Sequence, residues 1–178
     1  MRNLYLLLML LACINFANAG AFIQQQLPEA KKVSSARYSV FVFDVYDATF
    51  YTVSGKAEVK PPFALQLTYL RNFKGEGIAD RSAEEMRDYQ GVDEVTLAGW
   101  HSQMRNIFPD VIKGDSIAGL YPDKTKCRFY KNNVLIGHVN DEKFCNAFFD
   151  IWFGENTSAP KLRTELLTPQ KAISKATE

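Results

Sequence analysis

The stretch that most constrains this chain is residues 140–167, NDEKFCNAFFDIWFGENTSAPKLRTELL, which reads as two helices meeting at a polar corner. Phe144, Phe148, Ile151 and Trp152 recur at the i, i+4, i+7, i+8 spacing that gathers large apolar side chains on one helical face, and Ala147, Phe149 and Phe153 widen it. Asn140 or Asp141 caps the first turn, Asp141 and Glu142 suit its positive dipole end, and Gly154 is expected in the left-handed conformation that stops the helix. A helix this aromatic has to lie on something broad. Most of the other apolar segments read as β-strands, so the expected support is a sheet.

Residues 1–19 are set apart from the fold. Arg2 precedes an apolar run over residues 4–16, too short to span a bilayer, and Ala17-Asn18-Ala19 follows as a small-x-small cleavage site. This predicts a signal peptide cleaved after Ala19 and a periplasmic or secreted protein. An uncleaved anchor and lipidation at Cys13 are the alternatives; leucine at position 11 fits a lipoprotein processing site poorly.

The remainder, with 47% hydrophobic and 23% charged residues in the whole chain, suits one globular domain. Loss of Arg2 removes one of 21 basic side chains against 20 acidic ones, so the mature charge is near zero and no basic cluster points to nucleic acid or to an anionic membrane. The only expected link to a membrane is the signal peptide. Cys127 and Cys145 have two open readings: a disulfide closing a loop of about eighteen residues, worth roughly 3 kcal/mol, or two separate buried thiols.

Along the chain, residues 20–36 form a polar, extended lead-in. Residues 37–51, RYSVFVFDVYDATFY, carry no Gly or Pro and read as one long strand, and residues 63–71 as a second. Period two sets Phe41, Phe43, Val45 and Asp47 on one side of the long strand and Val40, Val42, Asp44, Tyr46, Ala48 and Phe50 on the other. Ser82 and Glu85 form a capping-box pattern that opens a helix ending by Gly91. Asp93 opens a longer helix whose Leu97, Trp100, Met104 and Phe108 recur at helical spacing up to Pro109, and this face serves either as core or as a ligand wall. Strands follow over residues 117–121, 126–131 and 134–139, with Asn132-Asn133 as a type I′ turn. A last helix spans about 160–167, and residues 168–178 are expected to be disordered. The element order gives an α+β fold, an antiparallel sheet with helices on one face.

No nucleophile elbow, phosphate-binding loop or dinucleotide fingerprint is present, and no cofactor is expected. His101 and His138 lack partners at ligand spacing, which predicts no metal site. Asn156-Thr157-Ser158 matches a glycosylation sequon and equally suits a helix-capping corner. The polar residues in the long strand carry more information: Arg37, Asp44, Tyr46 and Asp47 sit in an apolar run, so each is paired, reaches solvent at a cleft, or binds something. One reading is an ion pair between Arg37 or Arg71 and Asp44 or Asp47. The other is an apolar cleft with an arginine and a tyrosine hydroxyl at its mouth, suited to an anionic or carbonyl head.

Five segments in order carry a family resemblance: Val45-Tyr46-Asp47-Ala48 with Phe50-Tyr51; Ala64 through Arg71; Phe108-Pro109-Asp110-Val111 with Gly114-Asp115; Phe129-Tyr130 with Asn133; and Ala147 through Trp152 with Thr157-Ser158, Pro160, Leu162-Arg163 and Leu166-Leu167. Over residues 33–167 the chain resembles the exported bacterial branch of the chalcone isomerase-like family. The resemblance implies the chalcone isomerase-like open-faced β-sandwich, a large antiparallel sheet with helices on one face. In plant members the cleft cyclises chalcones through an arginine near the start of the long strand, a threonine along it, and a tyrosine and an asparagine on the helical side. Arg37 takes the arginine's place after Val33-Ser34-Ser35-Ala36 where glycines are usual, Tyr46 takes the threonine's, and nothing near Trp100 matches the remaining pair. Non-catalytic relatives resemble fatty-acid-binding proteins, with arginine and tyrosine on the carboxylate. The expectation is therefore a non-catalytic domain for a small amphipathic molecule such as a fatty acid, with Arg37 and Tyr46 at the head and Tyr69 and Trp100 as wall. The alternatives are an isomerase or intramolecular lyase acting on a chalcone-like carbonyl compound through Arg37, and a structural or interaction module with no open cleft.

Overall fold

The computed structural model describes residues 19–170, so all of the expected signal peptide over 1–19 except Ala19 lies outside them. The run read as one long strand is a hairpin. β1 (Lys31–Val40) and β2 (Phe43–Thr52) pair antiparallel, with Val40 opposite Phe43 and residues 41 and 42 as the turn. Phe41 takes a φ of 54°, a left-handed conformation that a bulky side chain rarely adopts, and so neither Gly nor Asn marks the turn in the sequence. Polar side chains stitch the two strands instead. Arg37 reaches Asp47 Oδ1 at 2.7 Å and Asp44 Oδ2 at 2.9 Å, and Ser39 donates to Asp44 Oδ1 at 2.7 Å.

After β3 (Phe63–Tyr69) come α2 (Gly75–Met86) and α3 (Glu94–Ile107), then β4 (Ser116–Asp123), β5 (Lys126–Lys131) and β6 (Val134–Val139), and finally α4 (Glu142–Phe153) and α5 (Pro160–Leu166). The described residues form one six-stranded antiparallel sheet in chain order, β1 to β6. It is the α+β architecture expected from the element order, with one more strand. Asn132 and Asn133 both have positive φ in the turn between β5 and β6.

The aromatic helix α4 lies on the sheet as its spacing requires. Asp141 caps it, accepting from the backbone N–H groups of Lys143 and Phe144. Phe149 packs against Phe63 at 4.8 Å between ring centroids, Phe153 against Phe50 at 4.6 Å, and Phe148 against Phe129 at 4.9 Å. Gly119 makes room for this approach, since a Cβ there would stand 3.1 Å from the Phe149 ring. Burying Phe144, Phe148, Phe149, Trp152 and Phe153 contributes on the order of 10 kcal/mol gross. The other sheet face is not open throughout. The expected extended lead-in forms α1 (Ala19–Gln26) and the first half of β1, and Ile23 and Leu27 pack on Tyr51, Ala64, Leu120 and Tyr130.

Other boundaries differ for traceable reasons. Helix α2 starts at Gly75, seven residues before the capping-box serine, because Asp110 from a distant loop accepts the Gly75 N–H at 2.9 Å. Ser82 therefore sits mid-helix and donates to the Ile78 carbonyl at 2.8 Å. Gly154 ends α4 at φ −65° and ψ 151°, not in the left-handed region; a Cβ there would stand 2.7 Å from the Asp150 backbone carbonyl oxygen, which is why a glycine fits. Cys127 and Cys145 are joined by a disulfide, with Cα atoms 5.8 Å apart. Residues 168–170 continue past α5, and Gln170 covers the exposed edge of β1 by donating its backbone N–H to the Val33 carbonyl at 3.0 Å and its side-chain amide to Ser35 at 2.6 Å. Residues 171–178 lie outside the described residues.

Candidate functional site

Between the β1–β3 side of the sheet and the helices lies a cavity of about 330 Å³, within the range of small-molecule sites, roughly 300–1,000 Å³. Alternation along the strands brings Tyr38, Tyr46, Leu67 and Tyr69 to one face, where they form the floor with Ile117. Ile78 from α2, Phe108 beyond α3, and Phe148, Ile151 and Trp152 from α4 supply the walls. The rim is polar, with Lys74, Arg81, Glu85 and Ser158.

Inside, the polar groups include the phenol hydroxyls, the Trp152 indole N–H and the Ser82 hydroxyl, which is spent on the Ile78 carbonyl. The Trp152 indole N–H donates to the Tyr46 oxygen at 3.0 Å, Tyr38 stacks on Tyr46 at 5.1 Å, and Tyr69 meets Tyr46 edge-on at 6.2 Å. Burial pushes both Tyr46 and Tyr69 above the usual phenol range, although the Trp152 bond opposes this for Tyr46. Both stay neutral and keep a proton to donate. The Tyr69 hydroxyl has no hydrogen-bond partner among the described residues, so it is a donor facing an apolar cavity.

The rim is a set of satisfied charges. Glu85 Oε1 accepts from Ser158 Oγ at 2.6 Å and from Arg81, whose other nitrogen reaches Glu84 at 3.2 Å. Lys74 pairs with Asp110 at 2.6 Å. Ser158 is delivered by the polar corner after α4: Thr157 donates its hydroxyl to the Ile151 carbonyl at 2.6 Å and accepts the Ala159 N–H at 3.1 Å. Thr157 holds that corner, but α5 starts after Ala159 without a side-chain cap, and Asn156 stays exposed.

A family model described as chalcone isomerase-like matches residues 34–168. The chain belongs to the chalcone isomerase-like family. An uncharacterized protein of Haemophilus influenzae (strain ATCC 51907 / DSM 11121 / KW20 / Rd) is 28% identical over 169 residues, covering 94% of this chain and 80% of that one. The crystal structure of an Arabidopsis thaliana fatty-acid binding protein superposes with a TM-score of 0.61 at 12% identity, covering 79% of this chain and 87% of the other. At that identity the likeness shows the shared fold.

Within this chalcone isomerase-like chain the expected site residues divide. Tyr46 and Tyr69 share the cavity. Arg37 does not reach it: its register partner is Asp47, while Tyr38 and Tyr46 pair one position along, so Arg37 lies on the opposite face of the sheet with its guanidinium held by two carboxylates. Trp100 is buried in the core, 3% exposed, edge-on to Phe144 at 5.6 Å and donating to Asp141 Oδ2 at 3.0 Å. It joins α3 to the start of α4 and does not line the cavity. The residues missed by sequence reasoning are Tyr38, Trp152 and the rim group of Lys74, Arg81, Glu85 and Ser158. Arg81 and Glu85 stand four apart on one helix, a recognisable ion-pair spacing, but reading Glu85 as a capping residue concealed it. His101 bonds Asp80 at 2.6 Å on the outer side of α2 and α3, and no group of His, Cys, Asp or Glu among the described residues is arranged to hold a metal.

Proposed function

We propose that this chalcone isomerase-like protein is an exported, non-catalytic binder of a small amphipathic molecule such as a fatty acid. The observation that carries the reading is the apolar cavity of about 330 Å³ with two neutral phenol donors, Tyr46 and Tyr69, in it and a cation, Arg81, at its rim. The hydroxyls would donate to the carboxyl or carbonyl head, and the walls of Ile78, Phe148 and Ile151 would take the chain. Arg81 and Lys74, not Arg37, are the cations at the cavity. The fold shared with the Arabidopsis protein named for fatty-acid binding supports the same reading. Export is supported by the pattern around Arg2, residues 4–16 and Ala17-Asn18-Ala19, and by the disulfide, which persists in oxidising compartments. The isomerase alternative loses its electrophile, because Arg37 lies across the sheet from the cavity.

The test is native mass spectrometry of the purified protein for a retained lipid, with thermal shifts across saturated and unsaturated fatty acids. A bound lipid or a stabilising shift is expected. Ile78→Trp, which fills the cavity, should abolish it, and Tyr69→Phe should weaken affinity by about 2- to 10-fold, the worth of one neutral hydrogen bond. No lipid and no shift for any fatty acid, with the fold intact, overturns the reading.

A further inference from the structure

The end of the sheet that carries the cavity also carries most of the exposed apolar side chains. Among the described residues nine large hydrophobic side chains are exposed, and strand direction sorts them. The β1–β2 turn, the loop before β4 and the β5–β6 turn all lie at the end where Tyr46 pairs with Tyr69 and Thr68 with Ser116. Residues 40–43, Ile112, Val134 and Leu135 are therefore at that end, while Val59, in the β2–β3 loop, and Val95, at the start of α3, belong to the other. Phe41 and Val42 are 96% and 86% exposed, at the tip of strands that also contribute Tyr38, Val45 and Tyr46 to the cavity.

Three observations say what covers this end. First, Phe41 occupies a left-handed position, whereas the comparable turn uses Asn132 and Asn133; a large apolar side chain stands where a small polar one would be less strained. Second, the patches are small and separated. Residues 40–43 offer roughly 500 Å² of apolar surface, below the ~800 Å² per partner of a stable protein interface. The second tip, with Val134 and Leu135 on β6, lies four strand spacings away, about 19 Å. Separate protruding tips suit a broad, soft apolar layer better than a partner with its own contours. Third, the charges here favour anions. Arg71 and Lys113 are exposed and in no ion pair among the described residues, and the Arg71 guanidinium stands 4.7 Å over the Phe43 ring. Asp44, Asp47, Asp110 and Asp115 are each engaged by Arg or Lys.

We infer that this end docks on an anionic phospholipid bilayer, with Phe41 and Val42 inserted among the acyl chains and Arg71 and Lys113 at the headgroups. Shallow insertion of an apolar tip with flanking cations is the general mode of interfacial binding. The inference stands apart from what the cavity holds, since neither Phe41 nor Val42 lines it.

The test is co-flotation with vesicles of phosphatidylglycerol and phosphatidylcholine, using purified protein whose mass verifies that residues 1–19 are gone. The wild type should float with the vesicles and be released by salt. The double variant Phe41→Asn, Val42→Ser, in which asparagine suits the left-handed turn, should partition at least ~10-fold more weakly while keeping its melting temperature and any fatty-acid shift. Phe41→Trp should be quenched by brominated lipids, whereas wild type, whose tryptophans are buried, should not. No flotation of the wild type, equal flotation of the double variant, or an unquenched Phe41→Trp overturns the inference. A wild-type dimer abolished by the double variant also overturns it, by assigning the tip to a second copy of the chain.

Discussion

Gly75→Ala is expected to destabilise the protein by about 3 kcal/mol, because the added methyl group has only backbone around it. An ideal Cβ at Gly75 stands 2.1 Å from the Phe108 carbonyl oxygen and 2.7 Å from the Pro109 carbonyl carbon, so α2 or the loop after α3 must move by about 1 Å. Overpacking costs roughly 1–3 kcal/mol where side chains yield, and here none is available to do so. The shift also breaks the Gly75 N–H bond to Asp110, a charge-assisted bond worth about 1.5–3 kcal/mol, against which alanine's helix propensity returns at most about 1 kcal/mol. Two residues further along α2 the sign reverses. A Cβ at Gly77 meets nothing within 4 Å, so Gly77→Ala should stabilise by about 0.5–1 kcal/mol. At about 2–4 °C per kcal/mol for a domain of this size, the melting temperature should fall by about 6–12 °C for the first and rise by about 1–4 °C for the second. Differential scanning calorimetry with urea titration reads both. A Gly75→Ala protein within about 0.5 kcal/mol of wild type would refute the packing argument, as would a destabilised Gly77→Ala.

Replacing Cys127 and Cys145 by alanine should cost about 3 kcal/mol for a loop of 18 residues; reductant should lower the wild-type melting temperature and leave the double variant unmoved, and two titratable thiols in the unreduced protein would count against the bridge. Tyr46→Phe leaves the buried Trp152 N–H without an acceptor and should cost about 1–3 kcal/mol by urea unfolding; a neutral result would mean that the indole finds another partner. Asp115 is held down to about 2 by hydrogen bonds from Asn132 and the Ile112 N–H, and by Lys131. A depressed folded pKa contributes stability that is complete above the unfolded value near ~4 and lost as pH falls toward 2, so Asp115→Asn should flatten the acid-unfolding curve in that window, and an unchanged slope would contradict the assignment.

Elements whose signals were local were legible in the sequence. Asp141 capping α4, Asp93 capping α3 and the Asn132-Asn133 turn each depend on residues within a few positions, and all appear where expected. Elements fixed by distant partners were not. The start of α2 depends on Asp110, 35 residues away, and the turn at Phe41 on bridges among Arg37, Ser39, Asp44 and Asp47 that tolerate a strained residue at the tip. The lead-in became helix because Ile23 and Leu27 find an apolar patch on the back of the sheet, and that patch exists only after β3, β4 and β5 assemble.

The cavity could have been located more closely from period two alone. Arg37 and Tyr46 stand nine positions apart, and alternation along an unbroken strand already sets them on opposite faces. The hairpin preserves that separation, because Arg37 pairs with Asp47 and Tyr38 with Tyr46. Asp44 and Asp47, which lie on opposite sides of an unbroken strand, come together only because the irregular register between Tyr38 and Ser39 lets one guanidinium reach both. The polar cluster was real, but its partners were one another, and it closed the hairpin. A cation near the ligand then has to come from the helical layer, where the cavity's cations are Arg81 and Lys74. Both already carry carboxylates, so an anionic head at the rim must compete with Glu85 or Asp110, whereas the Tyr69 hydroxyl has no competitor. The interior phenols, more than the rim cations, should therefore decide which head group is held.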